Sequence, residues 1–339
     1  MVQQLDSAGL QRHGVAFVGS GSAKLEAVLT NAQLAEVVDT SDEWIATRTG
    51  IRQRHIAKPE DSIRSLGGAA AKAAIAHANL SPTDVDLILL ATSTPDDLFG
   101  SACQIQHEIG ASRAVAFDIT AACSGFVFAL VTASQFIRTG AYKTVVVVGA
   151  DLLSRLTDWS DRRTCVLFGD GAGAVVLQRA ESGDNLLSFE MHSDGTLNGC
   201  LNAAYQHESS PLTAEISVQK GSFDPVTMNG REVYRFAVSR VPEVLEKSLF
   251  HANLTVSDID WWILHQANQR ILDAVAERMK IQSDRMVSNM ADHGNTDAAS
   301  IPIALNDWVR AGKVKPGDTL ALSGFGAGLS WGAAVIKWG

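Results

Sequence analysis

Apolar residues recur along this chain in two alternating rhythms. Short apolar runs stand within residues 85–91 (VDLILLA), 144–149 (TVVVVG) and 261–264 (WWIL). They are too brief for helices and rich in β-branched residues, so they predict buried strands. Further strands are expected at 15–19, 115–119, 319–323 and 333–338. Between them, apolar positions return every three or four residues, which predicts helices at 62–79, 101–110, 126–137, 232–249, 268–279 and 299–309. Residues 165–177 (CVLFGDGAGAVVL) read as two strands joined by a glycine-rich turn. No Gly-Lys-Ser/Thr is present there and no helix follows, so the segment is not a phosphate loop. The polar stretch 39–56 predicts a surface loop with one helical turn, and 192–225, rich in Gly, Ser and Asn, an irregular surface excursion beside a substrate channel. Strands alternating with helices point to the α/β class.

The pattern also repeats. HANLSPTDVD begins at residue 77 and HANLTVSDID at residue 251, an offset of 174, and each precedes an apolar strand. FGDGAGAVV (168–176) parallels FGAGLSWGAAV (325–335), and AACS (121–124) parallels DAAS (297–300). Several matches in one order predict a duplication, with halves spanning residues 1–182 and 183–339 and a break near 180–186. Two related halves would gather equivalent loops around one central site.

The candidate chemistry lies at that site. Cys123 follows a strand and the small residues Ala121 and Ala122, and precedes a long apolar helix. Backbone N–H groups and the helix dipole at such a junction are expected to lower the thiol pKa and make a nucleophile. A buried core cysteine is the bland alternative. In the second half, His265 follows WWIL at the position where the first half has Ala91, and Asn295 sits in DHGNTDAAS. A thiolate accepts an acyl group, and imidazole and amide groups donate hydrogen bonds to an oxyanion or enolate. The alternatives are a satisfied strand-end histidine and a turn asparagine in left-handed geometry beside Gly294. The duplication, which brings all three together, favours chemistry.

Composition narrows the picture further. The 339 residues are 46% hydrophobic and 19% charged, enough for a large core. A formal net charge of −9 argues against a nucleic-acid binder. The four cysteines, Cys103, Cys123, Cys165 and Cys200, form no C-x-x-C pair, and no His, Asp or Glu spacing suggests a metal site. Residues 1–12 are polar and expected to be loose, with no apolar signal core, and no apolar run is long enough to span a bilayer. These features predict a cytoplasmic protein with reduced thiols and no membrane or nucleic-acid partner.

The motifs TSDEWIATRTGIRQRHIA (40–57), SACQIQ (101–106), AACSGF (121–126), FGDGAGA (168–174), HQANQRI (265–271), HGNTDAAS (293–300) and FGAGLSWG (325–332) together resemble β-ketoacyl-acyl-carrier-protein synthase III. The likeness runs from about residue 15 to 339. It implies a thiolase-like fold of two duplicated α/β halves forming a five-layered α-β-α-β-α core. The implied activity initiates type II fatty acid synthesis by condensing acetyl-coenzyme A with malonyl-acyl-carrier protein. In that reading Cys123 is acylated, His265 and Asn295 bind the malonyl thioester, and the N–H groups of Cys123 and Ala327 form the oxyanion hole. Trp44 and Arg162 would sandwich adenine, Arg48 would hold the phosphates, and Asn268 would contact coenzyme A. Phe99 would enter the partner's acyl pocket in a homodimer, and Arg270, Arg278 and Arg235 would meet the acidic carrier protein. Coenzyme A thioester is substrate here, and no cofactor or metal is implied. Two positions depart from the family pattern: Arg163 and Ala327 both stand where glycine is familiar. A condensing enzyme with a longer or branched primer, a Cys/His/Asn hydrolase, and a catalytically silent dimeric scaffold are the competing readings.

Overall fold

The computed structural model describes residues 12–339; the N-terminal stretch read as loose lies almost wholly outside them. Two sheets carry the architecture. The first has five strands in the order Val15–Ser22, Asp170–Arg179, Thr144–Leu152, Leu87–Ala91 and Val115–Ile119. The last three run parallel, and Asp170–Arg179 pairs antiparallel with both Thr144–Leu152 and Val15–Ser22. The second sheet repeats this order with Leu186–Ser193, Ser330–Lys337, Thr319–Gly326 and Trp261–Leu264. A single parallel bridge, Trp262 to Met286, stands where the fifth strand would be.

Side-chain alternation along the strands builds the layers. Val145 and Val147 point into a central core with Phe126, Leu130, Ile301 and Leu305, while Val146 and Val148 pack on the opposite face against Ile63 and Ile105. Both faces of this strand are covered by helices, which is why VVVV is unbroken by polar residues. The central core also takes Ile263, Leu320 and Ile336 of the second sheet, so helices Gly125–Arg138 and Ser300–Arg310 lie between the sheets. Helices Ile63–His77 and Ala102–Ile109 cover the outside of the first sheet, and Gly230–Ala252 and Gln269–Met279 the outside of the second. The result is the five-layered α-β-α-β-α stack that the resemblance implied.

The duplication extends to backbone detail. Asn79 and Asn253 both adopt left-handed φ, at 56° and 55°. Ala122 and Asp297, at 45° and 51°, do the same in the turns that precede the two central helices. This equates Ala122 with Asp297 and Cys123 with Ala298, one residue off the AACS/DAAS alignment read from sequence. The shared alanines and serine suggested the wrong register; the backbone fixes the right one.

Three expectations change. Cys165, Val166 and Leu167 form no strand; they are buried loop residues packed on the core of the second half, and a single bridge from Phe168 to Asn295 follows. Only Asp170–Arg179 is a strand, and its glycines serve helix packing rather than a hairpin turn. A Cβ on Gly173 would lie 2.7 Å from the Ile303 amide and 2.9 Å from the Pro302 carbonyl carbon. We therefore expect Gly173→Ala to push helix Ser300–Arg310 off the sheet at a cost of roughly 1–3 kcal/mol, read as a lowered unfolding midpoint. Second, segment 39–56 holds a full helix, Asp42–Thr49, capped by the Ser41 hydroxyl, and the short strand Gln53–His55. Third, the 192–225 excursion contains a regular hairpin, Tyr205–Pro211 with Ser217–Phe223. Most of its residues are exposed on both faces, so it carries no clean apolar alternation to read.

Candidate active site

A cavity of about 720 Å³ opens between the halves and is lined by Cys123, His265 and Asn295 together. Cys123 sits in the turn Ala122–Ser124, which runs directly into helix Gly125–Arg138. It is 8% exposed, and that exposure faces the cavity. Gly326 lies against it, since a Cβ there would come within 2.7 Å of the Cys123 amide nitrogen. The strand carrying Gly326 leads to Ala327, which lines the cavity and has no left-handed φ, so its N–H is retained as it would be with glycine. A hydrogen bond of 2.7 Å between the Ser124 and Ser330 hydroxyls ties the cysteine turn to the next strand, Ser330–Lys337, which pairs with the first. The cavity thus receives its candidate nucleophile and both candidate oxyanion N–H groups from one braced unit.

His265 follows the strand Trp261–Leu264, and its N–H donates to Ser323 at 2.8 Å. Its Nδ1 lies 2.7 Å from the Ser300 hydroxyl, which also accepts from the Gln266 N–H at 3.4 Å. The Ser300 hydroxyl can donate its proton to Nδ1, the tautomer in which the proton of His265 sits on Nε2. Burial lowers the imidazole pKa to about 3, so the ring is neutral at physiological pH. Ser300→Ala should free the tautomer and slow enolate formation roughly 10-fold, with acylation of Cys123 untouched; the two half-reactions measured separately check this.

Asn295 is fixed by its neighbours. Its N–H donates to Leu167, its carbonyl accepts from Gly169, and its Oδ1 accepts from the Asp297 N–H at 3.0 Å. The bond to Oδ1 assigns the amide orientation and leaves Nδ2 as a donor. Gly294, not Asn295, takes the left-handed φ of this turn.

The Cys123 thiol corrects the sequence reading. Burial raises its pKa well above the usual thiol value, and the nearby Asp297 and Asp151 carboxyls add to the effect. The backbone contribution at the turn opposes this but is smaller. The free protein therefore holds Cys123 as a thiol. Local sequence showed the helix tip and missed the two carboxyls, which come from other segments of the chain. Asp151 accepts from the Ser93 and Ala298 N–H groups and the Thr92 and Thr94 hydroxyls.

At the cavity mouth, Arg48 and Arg162 lie 4.5 and 5.2 Å from the centre of the Trp44 ring. Arg162 also donates to the Asp39 carbonyl at 2.9 Å. Asn268 lines the cavity and caps helix Gln269–Met279 by accepting from the Arg270 N–H. Arg270 lies at the rim over Tyr234, and Arg163, which also lines the cavity, is clamped to the Asp161 carboxylate. Three of the expected residues stand outside the cavity lining. Arg235 pairs with Glu232, Arg278 donates to the Val238 and Ser239 carbonyls, and Phe99 is 97% exposed.

Comparison with known proteins decides the family. Family models described as 3-oxoacyl-[acyl-carrier-protein] synthase III match residues 117–195 and, for the C-terminal part, 249–338. A β-ketoacyl-[acyl-carrier-protein] synthase III of Acaryochloris marina is 64% identical over 325 residues, covering 96% of this chain and 98% of that one. The chain belongs to the β-ketoacyl-[acyl-carrier-protein] synthase III family. The crystal structure of the Aquifex aeolicus 3-oxoacyl-[acyl-carrier-protein] synthase III superposes with a TM-score of 0.87 at 44% identity, covering 96% of this chain and all of that one. The priming β-ketosynthase of the R1128 polyketide pathway superposes with a TM-score of 0.89 at 34% identity, covering 96% and 97%.

Within this synthase III scaffold, Asp297 is the site residue that sequence reasoning left without a role. A signal was present: it puts a carboxyl where the first half has Ala122, the same kind of contrast that singled out His265 against Ala91. Among the described residues, no cluster of His, Cys, Asp and Glu is arranged to hold a metal ion, and no helix is long and apolar enough to cross a membrane.

Proposed function

We propose that this synthase III starts fatty acid chains by condensing acetyl-coenzyme A with malonyl-acyl-carrier protein to acetoacetyl-acyl-carrier protein. The observation that carries this reading is one cavity holding a thiol from the first half and an imidazole and an amide from the second. Cys123 takes the acetyl group, and coenzyme A leaves. The Nε2–H of His265 and the Nδ2–H of Asn295 then hold the malonyl thioester carbonyl. As carbon dioxide departs, charge builds on that oxygen and both hydrogen bonds strengthen. The enolate carbon attacks acetyl-Cys123, with the N–H groups of Cys123 and Ala327 stabilising the tetrahedral oxyanion. Decarboxylation generates the carbanion, so a neutral histidine suffices and no strong base is required.

The remaining assignments follow from position. Trp44 offers a stacking face for adenine, with Arg48 for the phosphates and Asn268 further in. Two van der Waals layers of about 3.5 Å each separate the outer members of a sandwich, so Arg162, at 5.2 Å, swings away from Trp44 when adenine enters. Arg270, Arg235 and Arg278 supply a local basic surface for the acidic carrier protein. Phe99 and Leu98 are exposed, and Val115 and Phe117 of the edge strand Val115–Ile119 present apolar side chains to solvent. These features favour a homodimer in which Phe99 completes the partner's pocket. We divide the chain into halves 1–182 and 183–339 and assign it to the cytoplasm, without metal or cofactor. Incubation with acetyl-coenzyme A, peptide mapping and a chase with malonyl-acyl-carrier protein test the reading. Acetyl on Cys123 that passes into acetoacetyl-carrier protein supports it; release as free acetate without the carrier protein favours a hydrolase and sinks it.

A further inference from the structure

Asp297 has no part in the steps above, yet its setting is unusual for an idle residue. It is 4% exposed, lines the reaction cavity, and sits in the turn Asp297–Ala299 beside the cysteine turn. Its carboxyl neighbours the Cys123 thiol and the Ser93 hydroxyl, and its Oδ1 has no hydrogen-bond partner. A buried polar oxygen left unpaired is costly to the folded state. The equivalent turn of the first half folds with alanine in the same left-handed conformation, so the backbone does not demand the carboxyl. The ionisable groups around it are Cys123 on the turn Ala122–Ser124, Asp151 on Thr144–Leu152 and His265 across the cavity. Asp151 is committed to backbone and hydroxyl donors through both oxygens, and His265 is neutral. Burial raises the proton affinity of the Asp297 carboxylate above the usual value, which makes it a stronger base.

We propose that Asp297 relays the proton in the acylation half-reaction, accepting it from the Cys123 thiol and supplying one to the departing coenzyme A sulfur. The inference rests on the condensing reaction proposed above. A Cys123 sulfur lone pair forms the new C–S bond to the acetyl carbonyl. The S–H bond breaks, and its proton goes to one carboxyl oxygen of Asp297. When the tetrahedral intermediate collapses, the C–S bond to coenzyme A breaks and its electron pair leaves on sulfur. Asp297 then gives that proton to the departing sulfur. Asp297 begins and ends as a carboxylate, and no further reactant is consumed.

The test varies the leaving thiol. Rapid-quench mass spectrometry follows acetylation of Cys123 by acetyl-coenzyme A, by the acetyl thioester of N-acetylcysteamine, and by that of thiophenol. Asp297→Asn keeps the shape and suits the left-handed backbone. It should slow both alkyl thioesters roughly 10²-fold and the thiophenyl ester only about 10-fold, because thiophenolate departs without a proton and only the uptake from Cys123 is lost. Equal slowing with all three, or none with any, overturns the relay. Should the variant not fold, the wild-type protein decides. A relay makes its rates nearly independent of leaving-thiol acidity, and a steep dependence refutes it. Failure of the wild-type protein to acetylate Cys123 at all would instead strike the condensing reaction.

Discussion

Replacing Cys123 by alanine abolishes uptake of acetyl from acetyl-coenzyme A and lowers condensation by about 10⁴-fold or more. Cys103, Cys165 and Cys200 do not line the cavity, so no other thiol can substitute. Alanine fits the same turn, and its left-handed neighbour Ala122 is unchanged, so the fold should survive with a nearly unaltered unfolding midpoint. Intact-mass measurement after incubation with acetyl-coenzyme A reads the outcome directly: an added acetyl group on the variant would mean that the nucleophile lies elsewhere. The wild-type thiol carries a second expectation. Because burial and two carboxyls hold it protonated, simple alkylating reagents should label it slowly at neutral pH although acetyl-coenzyme A acylates it readily. Slow labelling is therefore no sign of a silent site.

Replacing His265 by alanine separates the half-reactions. Acetylation of Cys123 continues, whereas decarboxylation of malonyl-acyl-carrier protein falls roughly 10²–10³-fold, the usual loss when one donor to a developing oxyanion is removed. Equal losses in both half-reactions would assign His265 to cysteine activation instead. The same residue should mark the acid stability of the protein. In the unfolded chain the imidazole titrates near 6.5, and in the folded protein near 3. Between those values the unfolded state binds more protons, so stability rises with pH through this window and is level above it. Below about pH 6 the His265 contribution falls by up to about 1.4 kcal/mol per pH unit. A His265→Ala variant should lose that part of the slope, which denaturant titrations at several pH values would detect.

Much of this molecule is legible from local pattern. VDLILLA, TVVVVG and WWIL name their strands because a strand covered on both faces needs an unbroken apolar run. The HANL repeats disclosed the duplication because each encodes the same helix end and left-handed asparagine. Duplication in turn implied that Cys123, His265 and Asn295 would converge. Other features lie beyond any local rhythm. Residues 165–167 are apolar enough for a strand but are held as loop by the core of the other half. The exposed hairpin 205–223 has no buried face to write a period into the sequence. The one-residue register between the two turns is set by backbone angles rather than by matching letters.

The chain alone determined which residues could do chemistry and that two copies of one unit would bring them together. Tertiary structure alone decided their charge states. Proton affinity depends on burial and on neighbours distant in sequence, and the groups that set it for Cys123 and His265, Asp151, Asp297 and the walls of the cavity, become neighbours only when the chain folds.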